Sequence, residues 1–236
     1  MKYCSVNNIR LFYQDVGNGE TIVFLHGLGS NSADWQPQID YFSQKYRVIA
    51  IDCRGHGRSD KPTGKYTIPL FADDMVKLLN QLEIQSFHLV GLSMGGMIAF
   101  QIAVDHSQQV KTLTIINSSP AVPYNTLALK ITVWSRLVII KLMGLKKLAK
   151  VIGKKLFPLD NQGNLRAQLI TSMRMLTKSS YSRSLLSFLG WDVSDKLSLL
   201  RMPVLVVAAE HDYTPVELKA EYCKKIKNCK LAVISD

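Results

Sequence analysis

The sequence predicts an α/β protein with a mostly parallel central sheet, helices on both faces and a helical cap inserted between two strands. Three observations lead to this prediction. Short apolar runs typical of buried strands alternate with segments of helical periodicity. The 236 residues are 47% hydrophobic and 20% charged, which suits one α/β core with an insertion and excludes disordered and collagen-like classes. Between about residues 121 and 190 the strand signal stops.

The strands are predicted from apolar runs in chain order. Residues 9–14 alternate with period two, which indicates an early antiparallel strand. The later runs are continuously apolar, as expected for strands buried on both faces of a parallel sheet. They cover residues 21–25, 48–51, 87–90, 113–116, 204–208 and 231–234.

Helices are predicted between these strands. Residues 71–82 carry apolar side chains at three- and four-residue steps, residues 97–104 follow a glycine-rich turn, and residues 215–226 begin with a proline. The stretch 128–156 is apolar, basic and helical in period. We therefore predict a core domain of residues 1–120 and 191–236, with a helical cap at 121–190.

The positive charge is concentrated in one segment. The net charge is +11, and residues 106–159 contain nine lysines and arginines but no acidic residue. This excess of lysine and arginine is confined to one segment and is not interleaved with aromatic residues that could stack on bases. Both features argue against nucleic acid as a partner. The ordinary interpretation of residues 130–155 is a cap helix with its lysines outward. The alternatives are a weak contact with an anionic membrane surface, or attraction of acidic or acyl substrates.

Four scattered cysteines form no C-x-x-C pair, so the sequence predicts no metal site. Their even count permits disulfides, which a chain of this size does not need. The N-terminus lacks the apolar segment of a signal peptide, and no run is long enough to span a bilayer. We expect a cytoplasmic setting and no cofactor; the oligomeric state stays open.

The motif Gly91-Leu92-Ser93-Met94-Gly95 carries the strongest chemical signal. It joins the predicted strand 87–90 to the helix from residue 97, which is the context of a nucleophile elbow. A sharp turn would hold Ser93 in a strained backbone conformation with its hydroxyl projecting above the sheet. The N–H of Met94, at the start of the helix, would then be one donor to a developing oxyanion.

A second motif, His26-Gly27-Leu28-Gly29, follows the predicted strand 21–25. Backbone amides at this strand end can face the space above Ser93, and we assign the N–H of Leu28 as the second oxyanion donor. We interpret His26 as a structural residue of the loop rather than as a catalytic base.

Residues 52–60 form a polar, glycine-rich loop after the strand 48–51. We expect Asp52 and Arg54 to fix this loop through an internal pair, with a substrate contact as the alternative for Arg54. His56 is interpreted as a loop hydrogen-bonding residue.

A carboxylate after the strand 204–208 can orient an imidazole and stabilise its charged form. Asp212 is our candidate, and Glu210, nearer the strand, is the alternative. His211 is interpreted as an exposed loop residue, because neighbours on a tight loop rarely face one another.

These four motifs together resemble the α/β-hydrolase superfamily over nearly the whole chain except the cap. Residues 52–60, 66–67 and 91–97 are especially similar to 3-oxoadipate enol-lactonases and small carboxylesterases. The resemblance implies an α/β-hydrolase fold. It also implies Ser93 as nucleophile, Asp212 as triad acid, and the amides of Leu28 and Met94 as the oxyanion hole.

One departure from the family concerns the base. The family places its catalytic histidine on the loop after the last strand, whereas this sequence stops at residues 234–236, without that loop and the following helix. His88 lies in a predicted strand and His106 at the far end of the helix after Ser93, so neither replaces it. We expect that the sequence is a shortened form of a longer protein. The alternatives are a nearly inactive protein and a base supplied by another chain.

The predicted function is hydrolysis of a small-molecule carboxylic ester or lactone through a Ser93 acyl-enzyme. The alternatives are a catalytically silent binding module of the same fold and a hydrolase of C–C bonds. The cap is expected to shape the substrate pocket, with Trp134 and Trp191 as candidates for its wall.

Overall fold

The computed structural model describes residues 2–123, 126–212 and 214–235. Its centre is an eight-stranded sheet with the order β1-β2-β4-β3-β5-β6-β7-β8. The strands are β1 (Lys2–Val6), β2 (Ile9–Val16), β3 (Thr21–Leu25), β4 (Arg47–Ile51), β5 (Phe87–Leu92), β6 (Val110–Ile116), β7 (Val204–Ala209) and β8 (Cys229–Ile234).

Strand direction changes near one end of the sheet. β2 runs antiparallel to β1 and β4, whereas β4, β3 and β5 to β8 run parallel to one another. All five residues of β3 are buried, as its continuous apolar sequence predicts for a strand covered on both faces. The carboxyl ends of the parallel strands share one edge, where loops from separate parts of the sequence meet.

Seven α-helices lie in the described part of the chain. They are α1 (Gln36–Phe42), α2 (Ile68–Gln81), α3 (Met94–Asp105), α4 (Leu127–Leu156), α5 (Gly163–Arg174), α6 (Lys178–Leu186) and α7 (Val216–Lys224). The first turn of α2 contains Pro69, and the Thr67 hydroxyl caps it by accepting from the Leu70 amide at 3.2 Å. α2 and α3 bury their apolar faces in the main core beside the sheet.

Helices α4, α5 and α6 build a separate cap between β6 and β7. Their apolar faces form a small core of their own, which includes Val133, Ile140 and Tyr181. At the neck, the Val122 amide donates to the Trp191 carbonyl and the Gly190 amide donates to the Val122 carbonyl, both at 2.9 Å. This pairing joins the segment that enters the cap to the segment that leaves it.

The fold adds features that the sequence patterns did not predict. β1 and α1 were not predicted, and α4 is kinked at Gly144, where φ is 77°. Cys223 and Cys229 form a disulfide between the end of α7 and the start of β8. Such bonds persist mainly in oxidising compartments, so the cytoplasmic setting stays a prediction.

None of the helices in the described ranges combines the length and apolarity that crossing a bilayer requires.

Candidate active site

The turn between β5 and α3 holds Ser93 in an unusual backbone conformation, with φ 52° and ψ −115°. A residue other than glycine with positive φ in this region is strained by about 1–3 kcal/mol, so the surrounding structure must enforce it. The Ser93 amide donates to the Ile116 carbonyl at 2.9 Å, and the Ser93 carbonyl accepts from Ser118 Oγ at 2.7 Å. These bonds to β6 and its following loop hold the turn in place.

Two glycines are required by close backbone packing around Ser93. A Cβ at Gly91 would strike the carbonyl of Gly95, and a Cβ at Gly95 would strike the carbonyl of Leu25. The bend from strand to helix is therefore tight enough to exclude any side chain at these two positions. This is the strand–turn–helix context that makes the G-x-S-x-G motif specific.

The loop after β3 approaches the same serine. A Cβ at Gly27 would lie 3.5 Å from Ser93 Cβ, so the backbone of this loop passes directly beside the serine side chain. The amides of Leu28 and Met94 have no hydrogen-bond acceptor among the described residues. Met94 is the first residue of α3, where backbone N–H groups lack partners within the helix and attract negative charge. Two amides without acceptors thus lie directly after Gly27 and Ser93, in the two segments that approach each other here.

Asp212 follows β7, two strands away from β5 in the sheet. Its Oδ2 accepts from Lys219 Nζ at 2.7 Å and from Thr214 Oγ1 at 2.8 Å. Lys219 has no solvent exposure, and its Nζ also donates to the Thr214 carbonyl at 2.7 Å. One carboxylate oxygen of Asp212 is therefore fixed by a buried ammonium group from α7.

Two hydrogen bonds connect α7 to the Ser93 turn through the loop that follows β6. Tyr222 on α7 donates its hydroxyl to the Ser118 carbonyl at 3.1 Å, and the Ser118 hydroxyl donates to the Ser93 carbonyl. Burial, together with the nearby Asp212 carboxylate, raises the pKa of Tyr222 and keeps its hydroxyl protonated as a donor. Ser93 and Asp212 thus lie on either side of the loop that follows β6.

None of the five histidines, all of which the structure describes, forms a hydrogen bond with the side chain of Ser93 or Asp212. His26 and His56 belong to the loops after β3 and β4 and are fully buried, and burial lowers the pKa of each. His26 Nε2 accepts from the Cys53 amide at 3.0 Å, which agrees with its structural interpretation. His88 lies within β5 and His106 at the far end of α3. His211 is exposed beside Asp212, where it lines an open depression of about 650 Å³.

The prediction of an internal pair between Asp52 and Arg54 is wrong. The carboxylate of Asp52 accepts from the backbone amides of Ser32 and Arg58, at 2.7 and 2.8 Å, and so ties two loops together. Arg54 instead points to α2 and binds Asp74 through two hydrogen bonds, with both side chains buried. This engagement also removes Arg54 from any substrate contact.

The two tryptophans predicted for the pocket wall lie in different environments. Trp134 is 68% exposed on the outer surface of α4. Trp191 is buried in the main core, where its indole N–H donates to Gln101 Oε1 at 2.7 Å. The structure does not bring them together on one wall, because the cap core holds the opposite face of α4 inward. Glu210, the alternative triad acid, is an exposed turn residue.

Sequence reasoning missed three residues that support the site: Ser118, Tyr222 and Lys219. Ser118 follows a predicted strand end, which is a signal that could have included it. Lysine on a short helix is ordinarily a solvent-exposed residue, so no sequence pattern distinguishes the buried Lys219 from its exposed neighbours.

Among the described residues, no group of three or more His, Cys, Asp or Glu side chains is arranged to hold a metal ion.

Comparison with known proteins agrees with this architecture. The sequence profile of the alpha/beta hydrolase fold matches residues 20–137, half of the chain. The chain is 25% identical to 3-oxoadipate enol-lactonase 2 of Acinetobacter baylyi, over 98% of this chain and 86% of that protein. It resembles the enol-lactonase structure from Burkholderia xenovorans LB400 with a TM-score of 0.89 and 24% identity, covering 99% and 91% of the two chains.

A further solved structure, the N-acyl homoserine lactone degrading enzyme Est816, shares 30% identity at a TM-score of 0.78. That match covers 100% of this chain and 92% of the other. The chain belongs to the alpha/beta hydrolase fold family. Its relatives and structural neighbours include enzymes named as hydrolases, enol-lactonases and esterases.

Proposed function

We propose that the protein is a serine hydrolase that cleaves a carboxylic ester or lactone of a small molecule. Ser93 is the nucleophile, Asp212 is the triad acid, and the amides of Leu28 and Met94 form the oxyanion hole. The observation that carries the proposal is the strained Ser93 turn, with Gly27 packed beside it and no acceptor among the described residues for the amides of Leu28 and Met94. Lactonase and esterase names among the relatives support the substrate class.

The reaction follows from this arrangement. A histidine takes the proton of Ser93 as its Oγ attacks the carbonyl carbon, and Asp212 stabilises the resulting imidazolium. The tetrahedral oxyanion accepts hydrogen bonds from the two amides. The imidazolium donates its proton to the leaving oxygen, and the alcohol departs or, in a lactone, stays attached to the acyl chain. The histidine then takes a proton from the water that attacks the acyl carbon and returns it to Ser93 as the carboxylic acid is released. This scheme requires no metal or organic cofactor.

The histidine is the one participant without a counterpart among the described residues. We propose that it comes from a segment or chain outside residues 1–236 and enters beside Asp212. The open depression next to this carboxylate supports such an approach. In this arrangement Lys219 holds Asp212 Oδ2, and the second oxygen faces the imidazole.

A second candidate function is a catalytically silent binding module of the same fold. The observation that favours it is that none of the five histidines bonds to Ser93 or Asp212, and that burial lowers the pKa of both His26 and His56. Such a protein would keep the strained turn at Ser93 but would not form an acyl-enzyme.

A fluorophosphonate probe separates the two candidates. We expect the probe to label the protein once, and mass spectrometry to locate the adduct on the Ser93 peptide. Ser93→Ala abolishes labelling, whereas Ser107→Ala, at the opposite end of α3, leaves it unchanged. Absence of labelling in the full natural protein, with native unfolding behaviour, contradicts the hydrolase mechanism and supports the binding module.

A further inference from the structure

The outer surface of α4 carries a continuous apolar stripe. Leu127, Ile131, Trp134 and Leu142 are 72%, 56%, 68% and 75% exposed. At 3.6 residues per turn, their spacing places them within an arc of about 80° on one face of the helix. Large apolar residues scattered singly on a surface are ordinary, whereas a contiguous exposed patch marks an interaction site.

The orientation of this stripe is fixed by the opposite face of the helix. Val133 and Ile140 are 3% and 2% exposed and pack in the cap core with residues of α5 and α6. Thr126 caps the start of α4 by accepting from the Leu129 amide. The helix therefore cannot rotate to bury the stripe without emptying the cap core.

Positive charge surrounds the same helix. Five of its exposed lysines, at positions 141, 146, 147, 150 and 154, form no ion pair with any residue the structure describes. No acidic residue occurs anywhere between 106 and 159 to offset them. α4 therefore combines an apolar stripe and one exposed indole, before the kink at Gly144, with a run of lysines that begins at Lys141 and continues beyond the kink.

We propose that the outer face of α4 docks on an anionic lipid bilayer, with the helix in the plane of the interface. A basic helix with an apolar face buries that face at the boundary between headgroups and acyl chains. Trp134 would lie at the headgroup level, where indoles are favoured. Anionic headgroups would attract the lysines over roughly a Debye length.

Charge distinguishes the bilayer from other occupants. A second copy of the chain would bring two acid-free basic clusters together, and like charges across an interface oppose association. A nucleic acid would satisfy the ammonium groups but would leave the apolar stripe exposed to water. The bilayer satisfies both features at once. The proposal concerns binding only and does not depend on catalysis at Ser93.

The fluorescence of Trp134 provides a direct test. The other two tryptophans, Trp35 and Trp191, are 7% and 9% exposed, so Trp134 alone reports a change in solvent contact. Vesicles of phosphatidylcholine with about 30% phosphatidylserine should shift the emission to shorter wavelength and sediment the protein at low salt. Vesicles of phosphatidylcholine alone should do neither. Trp134→Phe should abolish the shift while sedimentation persists.

Charge variants test the electrostatic part. The triple variant Lys146→Gln/Lys147→Gln/Lys150→Gln should weaken sedimentation by about two orders of magnitude, since each lysine near an anionic surface contributes about a five-fold effect. Lys224→Gln/Lys225→Gln/Lys227→Gln removes the same charge from exposed positions on the core, and it should bind like the unmodified chain.

Three results would overturn the proposal. One is an emission maximum and sedimentation that do not respond to anionic vesicles. Another is an equal loss of binding in the two triple variants, which would indicate attraction by net charge alone. The third is an emission maximum already at short wavelength in buffer, with the mass of a dimer, which would mean that a second copy covers Trp134. Unchanged circular dichroism and unfolding temperature confirm that each variant is folded.

Discussion

Lys219 Nζ lies 2.7 Å from Asp212 Oδ2, and both side chains are almost removed from solvent, with exposures of 1% and 10%. The ammonium group also donates to the carbonyl and hydroxyl of Thr214, so all three of its protons have acceptors. A buried ion pair with its hydrogen bonds complete costs little, but removing one partner leaves an uncompensated buried charge. Lys219 is thus a positioning residue for the candidate triad acid.

The first prediction concerns this pair. Lys219→Met should lower the free energy of unfolding by about 3 kcal/mol, because Asp212 then stays buried without its cation. In the double variant Lys219→Met/Asp212→Asn the loss should be clearly smaller than the sum of the two single losses. Urea unfolding of the four proteins measures the coupling. Additive losses would show that the two groups are independent and would contradict the positioning role.

The sequence predicted the central sheet because strands buried on both faces require continuous apolar runs. β3, with five buried residues, is the clearest example. The edge strand β1 was missed because only Cys4 and Val6 are buried in it, which leaves a weak alternating pattern. α1 was missed for the same reason, since Ile39 is its only buried residue. Periodicity detects elements only in proportion to the surface that they bury.

The elbow could be predicted and the ion pairs could not. The glycines beside Ser93 are dictated by local backbone packing, which a short motif records. The partner of Arg54 is 20 residues away on α2, and the partner of Asp212 is the seventh residue beyond it on α7. Which charged groups meet depends on how helices dock on the sheet, and no spacing in the sequence determines this.

The second prediction concerns backbone strain at Ser93. Glycine adopts a φ of 52° without the Cβ penalty, whereas alanine retains that penalty. Ser93→Gly should therefore be more stable than Ser93→Ala by about 1 kcal/mol, although neither can form an acyl-enzyme. At Ser135, inside α4, the order should reverse, since glycine is about 1 kcal/mol less favourable than alanine in a helix. Thermal and urea unfolding measure both comparisons. If the alanine variant is the more stable of the two at both positions, the backbone at Ser93 is not strained.

The third prediction concerns the buried pair between Arg54 and Asp74. Asp74→Asn should cost about 3–5 kcal/mol of stability, because the guanidinium stays buried without its carboxylate. The neighbouring Asp73 provides a matched control: it pairs with Lys77 at the surface, with side-chain exposures of 46% and 49%. Asp73→Asn should cost under about 1 kcal/mol. Equal losses in urea unfolding would contradict the different burial of the two pairs.

The fourth prediction concerns acid stability and His56. Burial, with a contribution from the nearby His26, lowers the pKa of His56 to about 3 in the folded protein, against about 6.5 in an unfolded chain. Between these values the unfolded chain binds the additional proton, so the free energy of unfolding falls as the pH decreases. The contribution of His56 is present above about pH 6.5 and is lost at about 1.4 kcal/mol per pH unit below it.

His56→Gln should reduce the slope of the free energy of unfolding against pH, measured by urea unfolding between about pH 6 and pH 4, by about that amount. His106→Gln, at an exposed position, should leave the slope unchanged. If His56→Gln also leaves the slope unchanged, the imidazole of His56 is accessible to protons in the folded protein, which would contradict its complete burial.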